Sequence, residues 1–132
     1  MKNGMFALAL LTVGSLSLGG CKAKLEGSLT VNGAPFEVSS CRSGQANGFM
    51  GVDLSNEAGA TIRLVQTPMN VPQVLYLQGE GAQATVVGTC GSLTIRTQNS
   101  TINNIRNVEG NANLQCAGAV TIAGAMSFQN CH

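Results

Sequence analysis

Histidine is nearly absent from this chain of 132 residues: the single one, His132, stands at the last position. Nucleophilic catalysis needs a Ser, Cys or Thr held by a base, usually His, that a third group orients. A terminal residue expected to fray is a poor base. The Gly-x-Ser-x-Gly elbow, the phosphate-binding loop and the His-Glu-x-x-His zinc pattern are also missing. Glycosidic chemistry would take a pair of carboxylates, here Glu37 with Asp53 or Glu80, but six scattered acids are the ordinary complement of a protein surface. The expectation is no catalytic residue, no metal, no cofactor and no enzyme.

Charge is scarce as well, at 10% of residues, with seven Lys and Arg against six Asp and Glu. No basic stripe or acidic block is present, so electrostatic capture of nucleic acid is not indicated. Tryptophan is absent, and one Tyr and four Phe make up the aromatics. The core must therefore be thin and built from Val, Ile, Leu and Phe. Past the first twenty residues no segment keeps a 3.6-residue apolar period over ten positions, which argues against helices.

What the chain does have begins at its start. Lys2, the apolar run 5–18 and a small-residue exit form a secretory signal. The run is shorter than the roughly 20 residues that a bilayer-spanning helix requires. It ends in Leu18-Gly19-Gly20-Cys21, which resembles the lipobox of bacterial prolipoproteins. That resemblance implies a diacylglycerated Cys21 thiol, cleavage before it and a mature protein held on a membrane. Two or more acyl chains suffice for stable anchoring, since each buried CH₂ contributes about 0.8 kcal/mol. Residues 1–20 are then a removed signal, 21–26 an acylated tether and 27–132 one β domain. Lys22, rather than Asp, follows the modified Cys; by enteric-type sorting this implies the outer membrane.

Four cysteines remain: Cys41, Cys90, Cys116 and Cys131. An even number in a small exported domain reads as two disulfides, with three connectivities open from spacing alone.

Short alternating runs separated by Gly, Asn and Pro follow one another along the chain. Asn32-Gly33 favours a type I′ hairpin turn, and Pro35, without an amide donor, places its strand at an edge or bulge. The run 49–54 is answered by 60–65 in a half-buried hairpin, with Asp53 and Arg63 facing outward as solvated alternation. Val74-Leu75-Tyr76-Leu77 reads as a strand buried on both faces. The Asn-rich segment 98–113 reads as a long loop with one short strand. About ten strands point to a single small antiparallel β-sandwich or open β-barrel, stapled by disulfides.

A lipobox, a Val-x-Gly hairpin closing at Cys41, an Ile-x-Leu strand, a Pro followed by Val and apolar residues, and Ile122-Ala123-Gly124 with Phe128 before Cys131 are together similar to the mycobacterial lipoprotein antigen family. This resemblance implies a compact β domain without an established enzymatic site. It also implies Cys41 paired with Cys131, leaving Cys90 with Cys116. A meander ending would instead favour Cys116 with Cys131. The extra pair Cys90 and Cys116 and the very short tether depart from the family pattern.

Two functions fit. The first is a lipid-anchored envelope module that meets an envelope protein or a glycan without catalysis. The second is a carrier of lipid or another apolar ligand, for which Phe49, Met50, Met69 and Tyr76 are the candidate lining residues.

Overall fold

The structure, a computed structural model, describes residues 22–79, 81–102 and 104–132. Residues 1–20, expected as a signal, Cys21, expected to carry the lipid, and Glu80 lie outside the described residues. Among the described residues no helix is long and apolar enough to cross a membrane.

Ten strands follow in order: β1 (Lys24–Val31), β2 (Ala34–Phe36), β3 (Ser40–Ser43), β4 (Gly51–Ser55), β5 (Thr61–Val65), β6 (Gln73–Leu77), β7 (Thr85–Thr89), β8 (Ser92–Ile102), β9 (Ile105–Ala117) and β10 (Thr121–Cys131). They build two antiparallel five-stranded sheets, ordered β2-β1-β10-β9-β8 and β3-β4-β5-β6-β7, which do not close into a barrel. The fold is a β-sandwich.

Period-two alternation explains how the layers meet. In the second sheet Val52, Leu54, Ile62, Leu64 and Val74 turn inward and are fully buried. In the first sheet Leu29, Leu93, Leu114, Ile122 and Phe128 face them from the other side, and all join one core. Burying each such side chain contributes about 1.5 to 3 kcal/mol. Asn32 and Gly33 both take positive φ (52° and 81°), as a type I′ turn demands. Pro35 sits in β2, an edge strand, where its missing donor breaks no ladder.

Three local expectations are corrected. Residues 24–26, expected in the tether, belong to β1 and pair with Gln129, Phe128 and Ser127. Leu25 packs against the core between the charged Lys24 and Glu26, and that alternation was hidden by the two charges. The segment 98–113 is not a loop: most of it lies in β8 and β9, which pair as a long hairpin, with Asn104 at φ 67° just before β9. In β9 the inward set is Val108, Ala112, Leu114 and Cys116, with Gly110 half-buried among them, so small residues at alternate positions masked the period. In β6 only Val74 is fully buried, because the outward face of that sheet carries no further layer.

Both disulfides join one sheet to the other. Cys41 of β3 is bonded to Cys131 of β10, and Cys90, just after β7, to Cys116 of β9. These are the pairs that the family resemblance implied, and the Cys116 to Cys131 alternative is not formed.

Candidate functional site

The outward face of the second sheet carries a row set by strand register: Arg42 of β3 lies opposite Asp53 of β4, and Asp53 opposite Arg63 of β5. Because Val52 and Leu54 must face the core, Asp53 between them must face out. It is nevertheless only 6% exposed. Arg63 covers it with a two-pronged contact, Nε to Oδ1 at 2.8 Å and Nη2 to Oδ2 at 2.9 Å. Asn47 donates from Nδ2 to Oδ2 at 3.3 Å. The planar fork of arginine fits a carboxylate in this way, and lysine would not.

A 3₁₀ turn at Gly44–Asn47 brings in Asn47 and leads into Phe49. Ser43 caps it by accepting from the Gln45 amide at 3.2 Å, and Gly48, at φ 83°, ends it. Asn47 is thereby placed over Asp53, and Phe49 under Arg63, whose guanidinium carbon stands 4.7 Å from the ring centroid. A cation over an aromatic face is attracted by the ring quadrupole. The hydrogen bond to Asp53 raises the Arg63 pKa above its ordinary value; burial lowers it by less, and the Asp53 charge adds to the rise.

One step along the strands, Ser55 and Thr61 share a hydroxyl hydrogen bond of 2.8 Å. With Ser40 they border a depression of about 500 Å³ whose wall includes Arg42, Arg63 and the backbone at Gly79 and Gly81. Arg42 is exposed, and its side chain makes no hydrogen bond or ion pair among the described residues.

The chain matches no family model, curated protein or solved structure.

The four residues expected to line a carrier cavity do not come together. Met69 is 79% exposed in the loop before β6. Tyr76 packs edge to face on Phe36, with centroids 6.4 Å apart, and so fills the core side. Phe49 supports Arg63, and Met50, 38% exposed, shares with it a shallow depression beside Gln45 and Ile105. Apolar composition identified these residues, but the face on which each would lie depends on register and on the 3₁₀ turn.

Of the carboxylates considered for glycosidic chemistry, Asp53 is held by Arg63, and Glu37 lies in another depression, beside Glu57. His132 is half-buried and engaged rather than frayed. Among the described residues no cluster of three His, Cys, Asp or Glu is placed to hold a metal ion. Sequence reasoning passed over Arg42 and took Asp53 and Arg63 for solvated alternation. The usable signal was that three alternating runs each put one charged residue at an outward position.

Proposed function

We propose that the protein is a lipid-anchored lipoprotein of a bacterial cell envelope. Its β-sandwich serves as a non-enzymatic binding or structural module for an envelope protein or a glycan. The observation that carries this reading is the nearness of the lipobox cysteine to a stapled domain. β1 begins at Lys24, three positions after Cys21, and the Lys22 carbonyl already accepts from Asn130 Nδ2 at 3.2 Å. An acylated Cys21 would therefore hold the sandwich directly against the bilayer, on the outer membrane where the organism has one. Two nested disulfides suit an oxidising compartment outside the cytoplasm.

Metabolic labelling with palmitate tests the anchor. The wild-type chain should take up label and fractionate with membranes, and Cys21→Ser should do neither. Equal labelling of the two would end the proposal.

A further inference from the structure

We infer that the depression over the second sheet is a binding site for an acidic saccharide, a polyhydroxylated ring carrying a carboxylate or a phosphate ester. The inference rests on the binding-module reading and names its ligand. Asp53, the acid on the outward face beside it, is spent: both oxygens are engaged and the residue is buried. The two guanidiniums are not equally spent. Arg63 keeps 26% of its side chain exposed, and Arg42 is exposed with no partner among the described residues. Among the described residues, the charge that a ligand meets is therefore positive.

Arg42 and Arg63 stand on strands separated by one other, about 10 Å apart at the backbone from strand spacing, a span suited to one sugar ring. The next row along the strands offers the hydroxyls of Ser40, Ser55 and Thr61, which both donate and accept. A guanidinium fork matches a carboxylate or phosphate, and the hydroxyl row matches ring hydroxyls. The volume, about 500 Å³, falls within the range of small-ligand sites. Among the described residues the ring beside the site, Phe49, already faces Arg63 and offers no free stacking platform. Recognition would then depend on charge, and a neutral sugar would lack its main attraction.

The test is calorimetric titration of the full-length protein in detergent with three probes: a galacturonate trimer, a glycerol phosphate trimer and maltotriose. At least one acidic trimer should bind and maltotriose should not. Preference for the galacturonate trimer assigns a carboxylate, and preference for the phosphate trimer a phosphate. Arg42→Gln should weaken binding about tenfold or more with an unchanged unfolding midpoint, because its side chain makes no hydrogen bond or ion pair among the described residues. Loss of label in the palmitate experiment with trimer binding intact would remove the anchor and leave this site standing. No binding of either acidic trimer up to about 10 mM, equal binding of maltotriose, or equal affinity of Arg42→Gln would each overturn the site and leave the anchor untouched.

Discussion

Cys41 and Cys131 are 90 residues apart in the chain and 5.0 Å apart at Cα. One sits in the edge strand β3 and the other at the end of β10, so a single bond fastens the rim of one sheet to the other. By loop-closure entropy a crosslink over that separation contributes about 4.6 kcal/mol, and one over the 26 residues between Cys90 and Cys116 about 3.5 kcal/mol. The double variant Cys41→Ala/Cys131→Ala should lose more stability in urea than Cys90→Ala/Cys116→Ala. The reverse order would show that strain or residual unfolded structure, rather than loop length, governs these bonds.

The Asp53 and Arg63 pair should break asymmetrically. Arg63→Gln leaves a buried carboxylate with Asn47 as its remaining side-chain donor among the described residues, at a cost of about 2 to 3 kcal/mol. Asp53→Asn leaves a guanidinium that is part-exposed and can turn to water, so its cost should be smaller. Chemical denaturation of both variants reads the order, and equal costs would mean that Asp53 is not desolvated as described. Folding raises the Arg63 pKa, so this residue's contribution is complete below the ordinary arginine range and is lost only above it. Between pH 7 and 10, bounds set about the neutral range and short of arginine titration, the difference between wild type and Arg63→Gln should stay flat from this cause.

Gly27 and Gly124 make a reciprocal close approach between β1 and β10. Both take positive φ (121° and 125°), and a Cβ on Gly27 would meet the Ala125 carbonyl oxygen while one on Gly124 would meet that of Ser28. Gly124→Ala should therefore cost upwards of about 2 kcal/mol from backbone strain and displacement of β1. A melting temperature within a degree or so of wild type, less than the several degrees that such a loss produces in a domain this size, would refute it.

Asn107 is fully buried, and neither its side-chain nitrogen nor its oxygen has a hydrogen-bond partner among the described residues. An unmet amide costs about 1 to 3 kcal/mol relative to an apolar group of like shape. Asn107→Leu should accordingly raise the urea midpoint, by the equivalent of about 1 kcal/mol or more. A fall of similar size would show that the amide is hydrogen-bonded in solution.

Much of the architecture was legible because local rules and global packing agree in these residues. Asn32-Gly33, Pro35 and the alternating runs 49–54 and 60–65 specify turns, an edge and two strands without help from distant parts of the chain. Legibility failed where the inward residue was small or the outward one charged. Gly110 and Ala112 hid β9, and Lys24 with Glu26 hid the start of β1. The binding face was the least legible. Its residues come from β3, β4, β5 and the 3₁₀ turn, and strand register rather than sequence distance makes them neighbours.

The sequence by itself determined that this is an all-β chain, with its turns and an even set of four cysteines after Cys21. Period-two patterning and turn chemistry act over a few residues and need no tertiary context. Only the tertiary structure decided that the strands divide into two open sheets rather than a barrel, which cysteines meet, and that Asp53 is buried under Arg63 while the Arg42 side chain beside it has no partner among the described residues. Those outcomes depend on which faces pack together and on cross-strand register, which no short stretch of the chain contains.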